Sequence, residues 1–90
     1  MNSEALKQFI RQHSYLFWDI REDAKENLSL NAVVETILKY GHVSDIRKLF
    51  DLAGIQQVSE IFHEQISRRR VNYPQRTVHF FSNYFNKHAR

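Results

Sequence analysis

The sequence predicts an all-α fold, a single compact bundle of about five short helices over residues 1–90. Three observations carry that expectation. Apolar residues recur at three-and-four spacing in successive segments, the pattern of a helix with one buried face. Glycine and proline total only three, and all fall between the periodic segments. No segment alternates apolar and polar residues over the length of a half-buried strand.

Ser3 is placed to cap a first helix whose Leu6, Phe9 and Ile10 form one stripe running on towards His13. Leu16-Phe17-Trp18-Asp19 follows, the densest apolar triplet of the chain and the site of its only tryptophan. Large aromatics each remove roughly 150–250 Å² from water on burial, so this triplet is expected to organise the core or to grip a partner. Residues Asp19 to Asn27 are charged and irregular, the composition of a loop or loose turn that folds the anchor back.

Leu30, Val33, Val34, Ile37 and Leu38 define the second helix, with Ser29 as its cap and Gly41 as its stop. Ser44 opens the third, with Asp45 in the first turn where the dipole favours negative charge, and Ile46, Leu49, Phe50 and Ala53 lead to Gly54. Ile55, Val58, Ile61, Phe62 and Ile66 make a fourth face that ends at Ser67-Arg68-Arg69-Arg70. Pro74 suits the first turn of a fifth helix through Thr77, Val78, Phe81 and Phe85.

Composition narrows the function classes. A chain of this length buries roughly 60–65% of its unfolded surface, which leaves little volume for an enclosed substrate cavity. With no cysteine, disulfides and thiolate metal sites are excluded, and a reducing cytoplasm is the expected setting. Glu4, Lys7 and Arg11 interrupt the apolar run that an export signal needs. Apolar runs reach only about four residues, against the roughly twenty that span a bilayer, so no membrane association is expected.

Chemistry is sparse. The five histidines form no His-x-x-x-His spacing, and the best metal-like cluster, Glu60, His63 and Glu64, reads as a solvated helix face. His42 with Ser44 and Asp45 is the nearest approach to an acid–base group, and helix capping accounts for it more simply. Gly41 and Gly54 are isolated, so no phosphate-cradling loop is present. As a helix-turn-helix, Asp45 to Gln65 scores poorly, because Phe50 stands where a small residue should be and Glu60 where an apolar one should be. No catalytic residue, metal or cofactor is expected, and the chain is read as non-enzymatic.

Charge is uneven. Residues 1–60 hold seven Lys or Arg against nine acids, whereas residues 61–90 hold six against one. At about 100° per residue, Arg76, His79, Asn83, Lys87 and Arg90 share one face of the fifth helix, while Val78, Phe80, Phe81, Tyr84 and Phe85 cover the other. Val78, Phe81 and Phe85 suffice to dock the helix, which leaves Phe80 and Tyr84 as candidate contacts. Arg68, Arg69 and Arg70 either favour the end of the fourth helix dipole or join Arg76, Lys87 and Arg90 in meeting phosphates or an acidic partner.

Several of these pieces coincide with a known pattern. Leu16-Phe17-Trp18-Asp19, Val34-Glu35 to Ile37-Leu38, Tyr40-Gly41, Asp45-Ile46 with Leu49, Gly54, Val58 to Ile61, Ser67, Thr77, Phe80-Phe81-Ser82 and Tyr84-Phe85-Asn86 resemble a small bacterial helical domain with an LFWD start. The likeness covers about residues 15–86. It departs from the pattern at Ile20-Arg21-Glu22-Asp23, where a proline-containing turn is usual, and in the arginine triplet. The resemblance implies a small helical protein without catalytic residues, often encoded beside nucleotidyltransferase toxins similar to the abortive-infection family.

The expected function is therefore binding: a protein-interaction module, antitoxin-like or accessory to such a toxin, with Trp18, Phe80, Tyr84, Arg76 and Lys87 as contacts. A basic nucleic-acid-binding protein or autoregulator using Arg68, Arg69, Arg70, Arg76 and Lys87 is the alternative. A homodimer through the fifth helix stands third.

Overall fold

The computed structural model describes residues 4–18, 20–21 and 28–89. Ser3, Asp19, residues 22–27 of the expected loop and Arg90 lie outside them. The elements run α1 (Glu4–Gln12), a 3-10 turn (Ser14–Leu16), α2 (Leu30–Tyr40), α3 (Val43–Ala53), α4 (Ile55–Ile66) and α5 (Gln75–His88). No strand occurs among the described residues, and the all-α bundle stands as expected.

The predicted faces are the buried ones. Leu6, Phe9 and Ile10 of α1, Val33, Val34, Ile37 and Leu38 of α2, Leu49 of α3, Val58 and Phe62 of α4 and Phe81 and Phe85 of α5 form one core. α4 lies at its centre, packed on α2, α3 and α5. Phe62 is the hub, its ring 5.2 Å from Tyr73, 6.0 Å from Phe81 and 5.4 Å from Phe85.

The apolar triplet divides. Leu16 and Phe17 are buried in the core, whereas Trp18 is 73% exposed. The 3-10 turn breaks the helical period after Gln12, so Trp18 does not continue the stripe of α1.

Short connections set the angles between helices. Ser29 caps α2 by accepting from the Ala32 amide at 3.2 Å, as its position predicts. Gly41 follows α2 with φ −73°, so no left-handed conformation requires a glycine there. Close approach does: a Cβ would sit 2.7 Å from the Ile37 carbonyl oxygen. At Gly54 the reason is conformational, since φ is +85° in the single residue between α3 and α4.

Two predicted helix starts shift by a residue. α3 begins at Val43 with His42 as cap, because the Asp45 carboxylate accepts from the His42 amide at 2.9 Å; Ser44 already lies inside the helix. Pro74 stands at the cap of α5 and not in its first turn. Its φ of −57° still directs the chain into the helix.

Between α4 and α5 the chain is pinned by polar contacts. The buried Tyr73 hydroxyl donates to Gln65 Oε1, and Gln65 Nε2 donates to the Asn31 carbonyl at 2.9 Å. Burial, reinforced by the Glu35 carboxylate and only partly offset by Arg68, pushes the Tyr73 hydroxyl well above its ordinary pKa. This relay ties the segment to both α4 and α2.

Candidate partner-binding face

α5 turns Phe81 and Phe85 inward and leaves its opposite side open. Arg76, His79, Phe80, Asn83, Tyr84 and Lys87 line a shallow groove of about 450 Å³ along that side. Phe80 is 59% exposed, whereas Tyr84 is half-buried. Tyr84 stacks on Phe50 of α3 at 5.8 Å and on Phe80 at 6.2 Å, and the His88 ring lies 4.5 Å from it on the next turn. The result is an i, i+4 ladder of rings, Phe80, Tyr84 and His88, with Arg76 and Lys87 in the same groove.

No carboxylate interrupts this stretch, because the last acidic residue of the chain is Glu64. Among the described residues Arg76 and Lys87 form no ion pair. Four of the sequence-predicted contacts, Arg76, Phe80, Tyr84 and Lys87, thus come together.

The others do not join them. Trp18 is exposed and does not line this groove. Arg68 is bound to Glu64, one helical turn back, at 2.6 Å, while Arg69 and Arg70 are exposed beyond the end of α4. Arg90 falls outside the described residues.

No family model, curated protein or solved structure matches this chain.

A second polar centre went unread in the sequence. His13 Nε2 lies 3.1 Å from Asp45 Oδ1, with both side chains buried, and the exposed Tyr15 hydroxyl donates to Asp45 Oδ2 at 3.0 Å. Burial opposes the charge on Asp45. The His42 amide, the Tyr15 hydroxyl and the charges of His13 and His42 outweigh that, so the carboxyl titrates below its ordinary range. Loss of hydration, together with the same carboxylate, raises the Tyr15 hydroxyl. His42, Ser44 and Asp45 do not form the acid–base group that their proximity in sequence raised; Asp45 is taken up from α1 and the 3-10 turn.

His63 is engaged elsewhere too. Its Nδ1 lies 2.8 Å from the Ser59 carbonyl oxygen and 3.2 Å from Ser59 Oγ. A carbonyl can only accept, so the Nδ1 facing it carries the proton and cannot act as a base towards the Ser59 hydroxyl. With His63 turned to Ser59 and Glu64 to Arg68, Glu60, His63 and Glu64 do not converge. No metal-binding group of three occurs among the described residues. No described helix is long and apolar enough to cross a membrane.

Proposed function

We propose that this chain is a non-enzymatic protein-interaction module whose α5 face binds an acidic protein partner in the bacterial cytoplasm. The observation that carries the reading is Phe80. A large aromatic left 59% exposed, between bases and with no carboxylate on its helix, combines the two parts of a recognition surface. The ring supplies area to bury; Arg76 and Lys87 supply orientation and steering. The resemblance of residues 15–86 to the LFWD domain makes a neighbouring nucleotidyltransferase-type toxin the partner to test first, with this chain in an antitoxin-like or accessory role.

One observation favours a second reading. Arg69 and Arg70 are exposed in the same acid-free stretch, and a basic surface also attracts nucleic-acid phosphates. Affinity capture from the source cell, with and without nuclease, separates the two. A stoichiometric protein that survives nuclease and is lost with Arg76→Glu/Lys87→Glu supports the module. Nucleic acid in its place, with log affinity falling by about 0.9 per phosphate against log salt, supports the alternative.

A further inference from the structure

The groove on α5 does not end at that helix. Phe80 and Tyr84 also form one wall of a smaller slot, about 130 Å³, between α3 and α5. Val43 and Ile46 supply aliphatic lining from the α3 side, Phe50 and Phe81 complete the apolar surface, and Arg47 is its only charged residue. Val43 is 69% exposed, so two large apolar side chains, Val43 and Phe80, stand uncovered on the lining of one slot.

Size and charge together select the occupant. Small-molecule sites run to about 300–1,000 Å³, and this slot is well below that range. It has room for one side chain. Arg47 is exposed at the slot, and Arg76 and Lys87 line the groove that adjoins it, so the surroundings of the slot favour carboxylates. A second copy docking through its own α5 face would bring like charges together there.

We propose that the slot receives a single aliphatic or aromatic side chain from an acidic amphipathic helix, whose carboxylates on either side of that anchor meet Arg47 and the Arg76–Lys87 strip. This rests on the acidic-partner reading and specifies how the partner is held. From Arg76 to Lys87 the strip spans about 16 Å at 1.5 Å per residue, the length of roughly three helical turns. A helix of that length covers the strip while placing one anchor over Phe80.

Fluorescence anisotropy on the full chain tests this with three labelled probes: a Glu-rich helix-forming peptide with a central Leu, the same peptide with Ala at that position, and oligo(dT). The Leu peptide is expected to bind about tenfold more tightly than the Ala peptide, or better. Val43→Trp, which covers the mouth of the slot, should bring the Leu peptide down to the Ala level. Phe80→Ala, which removes a wall, should do the same by another route, and Arg76→Glu/Lys87→Glu should weaken both peptides. Equal binding of the two peptides that still responds to the charge reversal overturns the slot and leaves the acidic-partner reading standing. No binding of either peptide, or preference for oligo(dT), overturns both.

Discussion

His13 and Asp45, 32 positions apart in the chain, form a buried pair with His13 Nε2 3.1 Å from Asp45 Oδ1. The other ring nitrogen of His13 lies 2.9 Å from the Phe9 carbonyl oxygen, and the ring stacks on Phe9 at 4.2 Å. Asp45 also receives the His42 amide and the Tyr15 hydroxyl, so one carboxylate joins the end of α1, the 3-10 turn and the start of α3. Removing it orphans donors from all three. Asp45→Ala should lower the unfolding free energy by about 2–4 kcal/mol in urea titration. Asp51→Ala, on the exposed side of the same helix, should change it by less than about 0.5 kcal/mol. Equal effects at the two positions would show that the pair contributes nothing beyond surface charge.

The same carboxylate sets the acid limit. Folding holds Asp45 below its ordinary titration range, so unfolding takes up a proton in acid. Its contribution is complete above about pH 4 and is lost as pH falls further. Tyr73 acts at the opposite end: its hydroxyl is raised, so its contribution is complete below about pH 10 and is lost as pH rises through the folded-state value. Melting temperature against pH should fall at both extremes. Asp45→Asn should flatten the acid limb, with a smaller effect on the alkaline limb through Tyr15, and Tyr73→Phe should flatten only the alkaline limb.

What was legible in the sequence was local. Val33, Val34, Ile37 and Leu38 lie within two turns of one another, so periodicity alone assigns their face, and Phe81 and Phe85 follow the same rule. The α5 strip was only partly readable: the sequence set Arg76 and Lys87 on one face and Phe80 and Tyr84 on the other, whereas the two rings flank the bases closely enough for all four to line one groove. Asp45 was read correctly as an acid at the start of its helix, where it caps the His42 amide, but its distant partners His13 and Tyr15 could not be read from spacing. Tyr73 belongs to no periodic segment, and the available signal was its aromatic ring in an otherwise polar stretch beside Pro74. The slot needed two helices, and no spacing within α3 or α5 reveals that Val43 and Phe80 flank one opening.

Gly41 and Gly54 should fail on substitution for different physical reasons. At Gly54 a Cβ meets nothing within 4 Å, so Gly54→Ala carries only the strain of φ +85°, about 1–3 kcal/mol. At Gly41 the backbone angle suits any residue, but a Cβ would lie 2.7 Å from the Ile37 carbonyl oxygen. That oxygen accepts the Gly41 amide, so relief of the clash must move the α2–α3 corner. Amide hydrogen exchange distinguishes them. Gly41→Ala should lose protection locally at residues 41 and 42 and at the start of α3, whereas Gly54→Ala should lower protection across the core in proportion to the global loss.

Binding and folding should separate between adjacent residues of α5. Phe81 is buried against Phe62, and Phe81→Ala should destabilise the fold by about 3–5 kcal/mol. Phe80 is its neighbour in sequence but points to solvent, with its edge-on contact to the Phe81 ring at 5.0 Å. Phe80→Ala should therefore cost less than about 1 kcal/mol in folding, and Arg76→Glu/Lys87→Glu less than about 0.5 kcal/mol, because exposed substitutions leave the core intact. Chemical denaturation measures each value. If Phe80→Ala unfolded the domain as Phe81→Ala does, the ring would be part of the core and the exposed face on α5 would lose its central residue. A folded Phe80→Ala protein with wild-type stability leaves that ring free for a partner, because nothing inside the bundle then depends on it.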